Sequence, residues 1–226
     1  NQYLMTTTFE QLQVTIMKLI MTKSGLTLQE IDGATDRDVL KGCLILMKEK
    51  YEEGSFQGRK DFQFVIAKNL KSVSFQLFHE SCLQLVFMPE VENIADWAFS
   101  LCRLTSICFF KVQSVGDGAF CDCKQVNKVF LPVCEKLDEG CFGGCEKIQI
   151  LDLPRVKKIG DEQFWGCSSQ TLSSHWLSSL VKVVFTNMLL CNQLTPNWMR
   201  TSSLATIMSA IKTKVVSSAE DYSKVV

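Results

Sequence analysis

Apolar residues in the middle of this chain recur with a period of 21 to 22 residues, and the polar positions between them recur in step. With Leu104 as the origin of one unit, Ile107, Phe109, Val112, Val115, Phe120 and Cys123 stand at offsets 3, 5, 8, 11, 16 and 19. The next unit repeats those offsets with Val126, Val129, Leu131, Cys134, Leu137, Phe142 and Cys145, and the one after with Ile148, Leu151, Leu153, Val156, Ile159, Phe164 and Cys167. Leu83, Val86, Met88, Val91, Ile94 and Phe99 fit before them, preceded by Phe62, Val65, Ala67, Leu70, Val73 and Phe78. A weaker copy runs from Leu40 through Cys43, Ile45, Tyr51 and Phe56. Self-similarity at such a period marks a solenoid, because a single coil cannot bury its apolar side without a neighbour stacked on it.

The spacing within a unit predicts its local structure. Apolar residues at offsets 0, 3 and 5, followed by Pro89, Pro132 or Pro154, describe a short strand that proline ends by withholding a backbone donor. Offsets 8 and 11 make a second inward stretch. Gly116-Asp-Gly118, Asp138-Glu-Gly140 and Gly160-Asp-Glu162 mark a turn, after which Phe and Cys three apart suit one inward-facing helical or 3₁₀ turn. At about 4.8 Å per strand the Phe and Cys columns become ladders along the stack.

The unit L-x-x-V-x-L-P-x-V-x-x-I-G-x-x-A-F-x-x-C resembles the BspA-type leucine-rich repeat over roughly residues 40 to 190. The resemblance implies a leucine-rich-repeat (LRR) solenoid: short parallel β-strands with turn or 3₁₀ segments in each coil of about 22 residues, plus a helical N-terminal cap. It also implies kinship with surface and secreted proteins, some of them adhesins that bind host matrix proteins or other cells. Phe110 replaces the proline of its unit, Arg59 stands where the first unit should have Cys, and Cys82 comes one residue late.

Residues 1–39 are expected to form the N-terminal cap. Thr8 can cap a helix with Gln11 completing the box, Phe9, Leu12, Ile16, Leu19 and Ile20 fall near helical spacing, and Gly25 offers a stop. That helix is expected to cover the open end of the stack, where an uncapped coil would expose core and a strand edge. The first apolar run lacks a basic leader and a cleavage site, so it does not read as a signal peptide. Residues 40–194 form the solenoid, with clear coils over 40–169 and a degenerate one over 170–194 around Leu172, Leu177, Leu180 and Phe185. Residues 195–226, in which Pro196 can open a helix, form a C-terminal cap or a decayed coil.

Composition narrows the function classes. With 24 basic and 24 acidic residues the formal net charge is zero, which gives no electrostatic case for nucleic acid or an anionic membrane. No stretch has the length and purity of a membrane span. Of eleven cysteines, Cys102, Cys123, Cys134, Cys145 and Cys167 fall at inward repeat positions, where a thiol acts as a small hydrophobe and a weak donor to turn carbonyls. Cys121 and Cys123 are too close for a zinc corner, so no metal or cofactor is assigned. Cys121 and Cys141 are the outward candidates for disulfides. A thiol-rich chain reads as cytosolic whereas the family resemblance points to the surface, so the compartment stays open.

Catalysis finds little support. His79 and His175 are the only histidines, neither in a nucleophile motif and both expected at the surface. The acidic pairs Asp138/Glu139 and Asp161/Glu162 recur as turn chemistry, and no phosphate-binding loop or dinucleotide fingerprint is present. The expectation is therefore a non-enzymatic module that binds a protein ligand, either as an adhesin or surface recognition protein or as an intracellular scaffold.

The residues that the repeat does not need point to where such a ligand would sit. Offsets 2 and 4 face away from the core, and they read Phe64, Leu85, Ser106, Lys128, Ile150 and Ile66, Phe87, Cys108, Phe130, Asp152. Phe64, Ile66, Leu85, Phe87, Lys128, Phe130, Ile150 and Asp152 are the candidate partner-binding residues, on the argument that an exposed apolar stripe marks an interface. The competing reading is that aromatic residues on a parallel sheet stack on one another, or are covered by a terminal segment, with no partner involved.

Overall fold

The computed structural model describes residues 2–160 and 162–167. The degenerate coil over 170–194, the expected C-terminal cap over 195–226 and His175 lie outside the described residues. Each coil after the first holds a three-residue strand, then a two-residue strand, then a tight turn. The three-residue strands are β2 (Cys43–Ile45), β3 (Phe64–Ile66), β5 (Leu85–Phe87), β7 (Ser106–Cys108), β9 (Lys128–Phe130) and β11 (Ile150–Asp152). The two-residue strands are β4 (Ser72–Val73), β6 (Asn93–Ile94), β8 (Ser114–Val115), β10 (Lys136–Leu137) and β12 (Lys158–Ile159). The second set forms one five-stranded parallel ladder, and the first set forms two parallel ladders, β2-β3-β5 and β7-β9-β11. Between these two the Thr105 N–H donates to the Gln84 carbonyl at 3.1 Å.

Two columns give the interior its regularity. Phe78, Phe99, Phe120 and Phe142 are fully buried, and successive rings from Phe56 to Phe164 stack 5.3–5.9 Å apart and no more than 15° from parallel. The cysteines lock onto this column. Each thiol donates to the carbonyl of the phenylalanine one coil back: Cys102 to Phe78 at 3.0 Å, Cys123 to Phe99 at 3.1 Å, Cys145 to Phe120 at 3.2 Å and Cys167 to Phe142 at 3.3 Å. Ser81, not Cys82, fills this column in the coil of Phe78, and its hydroxyl lies 3.4 Å from the Cys102 sulfur. Arg59, at the start of the column, instead sets its guanidinium over the rings of Phe56 and Phe62 and pairs with Asp61.

The turn bends through left-handed backbone at two places, two residues before and two residues after each stacked phenylalanine. At Gly118 (φ 55°) and Gly144 (φ 70°) glycine takes that conformation without cost, but Gln76, Trp97, Glu80, Leu101 and Asp122 adopt it too, with φ between 51° and 60°.

The first coil differs from the expected register. Its strand is β2, and Leu44 rather than Cys43 pairs with Val65, so Leu44 and Leu46 take the inward positions and Cys43 falls in line with Phe64. Leu40 belongs to β1 (Val39–Leu40), which pairs antiparallel with β2 across Lys41 and Gly42, both at positive φ as a two-residue hairpin requires. A slip of one residue exchanges the two faces of a strand, so a weak copy of the repeat is enough to assign the wrong face.

The N-terminal helix α1 (Gln2–Ser24) begins before Thr8 and ends as expected at Gly25, whose N–H returns to the Met21 carbonyl at 2.8 Å. Over residues 11–24 its buried or half-buried residues are Gln13, Ile16, Met17, Ile20, Met21 and Ser24, a single stripe at helical spacing. Leu12 and Leu19, expected to face inward, are exposed.

Candidate binding surface

The helix α1 does not plug the end of the stack. Ile20, with Ile16, Met17 and Met21 around it, packs on the outward side chains of the first ladder, in one apolar cluster with Cys43, Ile45, Phe64, Ile66 and Leu85. Phe87 and Leu40 flank that cluster. The polypeptide that follows anchors the helix. Thr27 and Glu30 form a capping box on α2 (Leu28–Asp32), Lys41 bridges Glu30 at 2.8 Å and the Gly25 carbonyl at 2.9 Å, and Lys68 reaches Asp32 at 3.1 Å. The Lys41 ammonium, with the Thr27 N–H and hydroxyl, holds the Glu30 carboxyl down at about 2. Beneath it Tyr51 donates to Asp36, and burial followed by that carboxylate raises the phenol to about 12.

This corrects half of the expected surface. Phe64, Ile66 and Leu85 are buried and Phe87 is half-buried, so these four are core between helix and sheet and not an accessible stripe. Packing of α1 on these side chains covers this part of the face. The sequence showed that α1 is amphipathic but not which flat apolar surface it would choose.

The other half lies as the offsets required. Lys128 pairs in register with Ile150 and Ser106, and Phe130 with Asp152 and Cys108, so the two stripes continue over β7, β9 and β11. Lys128 is exposed and Ile150 is 49% exposed, while Phe130 and Asp152 are half-buried. Phe110, not among the expected site residues, packs edge-on against Phe130 with ring centroids 5.8 Å apart. Its substitution for the proline of the repeat was the signal in the sequence. Cys108 is half-buried here, and burial pushes its thiol up to about 12.

The remaining candidate groups behave as scaffold. All ten described cysteines are free thiols. Cys141, expected outward, is fully buried and donates to the Asp138 carbonyl at 2.9 Å and the Gly116 carbonyl at 3.3 Å. Cys121 is half-buried beside Asp122, and burial followed by that carboxylate raises its pKa. His79, expected in solvent, is mostly buried, with its Nε2 3.6 Å from Glu80. Among the described residues no cluster of three His, Cys, Asp or Glu side chains could hold a metal ion, and no described helix is long and apolar enough to cross a membrane.

Comparison with known proteins agrees with this architecture. The BspA type leucine-rich repeat region matches in six copies across residues 49–172. Among solved structures, a leucine-rich repeat protein of T. pallidum shares 20% identity at a TM-score of 0.49, over 63% of this chain and 83% of that one. The pneumococcal vaccine antigen PcpA shares 20% identity at a TM-score of 0.41, over 47% of this chain and 29% of that one. No curated protein matches. With the family pattern spanning more than half of its length and the Phe and Cys columns stacked as that pattern requires, the chain belongs to the BspA type leucine-rich-repeat family, a repeat module for protein interaction.

Proposed function

We propose that the chain is a non-enzymatic recognition module, an adhesin or surface-binding protein, that takes a protein ligand on the outward face of β7, β9 and β11. The observation that carries this reading is the change from the ladder β2-β3-β5 to the ladder β7-β9-β11. The strands beneath α1 are buried at every or nearly every position, while β7, β9 and β11 alternate a buried central residue with accessible neighbours. Lys128 and Ile150 offer a charge and an apolar contact side by side on a rigid lattice, so binding orders little that is not already ordered. Phe130 and Asp152 complete the patch, with the aromatic as the expected hot spot.

The test is a pull-down from an extract of matrix and cell-surface proteins with the intact chain and with Lys128→Glu/Ile150→Asp. Loss of the captured protein at unchanged thermal stability supports the reading. Undiminished capture removes this face from consideration.

A second reading, an intracellular scaffold using the same face, is favoured by the ten unpaired thiols. Thiol titration of the protein isolated from its native host separates the two, since oxidised cysteines belong to the surface and reduced ones to the interior.

A further inference from the structure

The turn edge of the coils carries three large apolar side chains that break the repeat and stay in water. Two residues before the stacked phenylalanine, the left-handed position is glycine at Gly54, Gly118 and Gly140, but in the coil of Phe99 it is Trp97 (φ 57°). Two residues after, the same coil has Leu101 (φ 60°). A bulky residue in that conformation costs about 1–2 kcal/mol, and both side chains keep a large share of their surface in solvent, with Trp97 40% and Leu101 44% exposed. Phe75, 38% exposed, stands in the preceding coil where others have Glu53, Asp96, Asp117 and Glu139. Large apolar side chains held part-exposed where other coils use glycine or an acidic residue point to a contact surface.

The geometry suits a contact surface. A Cβ on Gly118 would lie 3.0 Å from the Trp97 ring, so the indole rests on the bare backbone of the next coil and is held in place. Phe75 walls a shallow basin together with Lys50, Glu52, Glu53 and Ser72, so two carboxylates face one ammonium there. Trp165, 62% exposed, stands three coils further along the same edge.

Charge says what would dock there. The six turn segments 52–59, 74–81, 95–102, 116–123, 138–145 and 160–167 hold ten acidic residues and one arginine, in a chain whose net charge is zero. That arginine, Arg59, is committed to Asp61. Among the described residues, Glu52, Glu53, Asp96, Asp117 and Glu139 form no ion pair. Asp96 and Asp117 each use one oxygen on a backbone N–H of the next coil, which fixes the carboxylate, and Lys136, paired with Asp138, also attracts both.

We propose that the turn edge of the Phe78 and Phe99 coils docks a basic protein segment, with arginine or lysine side chains stacking on Phe75 and Trp97 while the neighbouring carboxylates pair with their charges. This edge is separate from the sheet face and does not depend on it.

The full chain is titrated with a fluorescein-labelled peptide of six Arg-Gly repeats, with six Glu-Gly repeats as control. The arginine peptide alone binds, and added salt weakens it. The double variant Phe75→Asp/Trp97→Gly puts the repeat's own residues at both positions, relaxes the backbone of Trp97 and adds a negative charge. It keeps its thermal stability and binds about tenfold more weakly, as expected for two lost aromatic contacts to cations. Trp97→Asn, which tolerates the left-handed conformation, is the second variant and binds more weakly too. Unchanged or tighter binding by these variants means that bulk charge alone attracts the peptide and overturns the proposal, as does absence of binding by the native chain. Lys128→Glu leaves this binding unchanged, which keeps the outcome distinct from that of the sheet face.

Discussion

The rings of Phe99 and Phe120 lie 5.3 Å apart and 1° from parallel, one coil above the other. Each ring of this column is thereby a contact surface for two coils, and stability is transmitted from neighbour to neighbour. Phe120 sits between Phe99 and Phe142, so Phe120→Ala leaves a cavity that neither can fill by sliding. The expected loss is about 3–5 kcal/mol, read from the midpoint of urea unfolding.

The buried thiols predict an alkaline limit to stability. Burial raises Cys43 to about 12 from an ordinary value of 9.0. Below pH 9 both folded and unfolded chains keep this proton, so the thiol adds no pH dependence. Between about 9 and about 12 only the unfolded chain releases it, and unfolding becomes easier by about 1.4 kcal/mol per pH unit for each such thiol. Urea midpoints should therefore fall as pH rises from about 9 to about 10.5, with a shallower fall in Cys43→Val. An identical slope in that variant would assign the effect to other groups.

The turn predicts opposite outcomes for two glycine exchanges. Leu101→Gly relieves a left-handed residue and should raise stability by up to about 1 kcal/mol. Gly116→Ala places a methyl 2.2 Å from the Asp96 carboxylate and 2.7 Å from its backbone nitrogen, and should lower stability by about 1–3 kcal/mol. Thermal melts of the two variants, compared with the native chain, check both signs.

The helix α1 should come away from the sheet without loss of the solenoid. Ile20 is fully buried in the cluster that contains Phe64, Ile66 and Leu85, so Ile20→Asp forces a carboxylate into an apolar contact and favours release of the helix. Hydrogen exchange should then rise across residues 11–24 and over β3 and β5, while the coils of Phe120 and Phe142 keep their protection. Unaltered exchange in α1 would show that the contact does not hold it.

Much of this was legible because the repeat states each rule several times. The inward column of Phe62, Leu83, Leu104 and Val126, like the Phe and Cys ladders, needs only period and polarity to be recognised, and the thiol-to-carbonyl role follows from placing a weak donor beside a turn. Where a rule is stated once or weakly, the sequence misleads. Leu40 reads as the start of a coil because nothing in the period shows that the first coil is entered through a hairpin. Cys141 reads as outward, whereas its column holds Leu77, Ala98 and Ala119, all fully buried once the coils stack.

The period alone was enough for the coil: 21 to 22 residues, one short parallel strand with a second inward stretch, and an interior of stacked phenylalanines, all consequences of local spacing copied along one axis. Which part of the sheet face remains accessible depends instead on how α1 packs. An amphipathic helix carries one apolar stripe whether it closes an end or lies across a face, and α1 lies across the face. That docking joins residues distant in sequence, Ile20 with Phe64 and Leu85, through non-directional apolar burial that leaves no periodic mark on the chain. It turned Phe64, Ile66, Leu85 and Phe87 into core, and left Lys128 and Ile150 facing solvent.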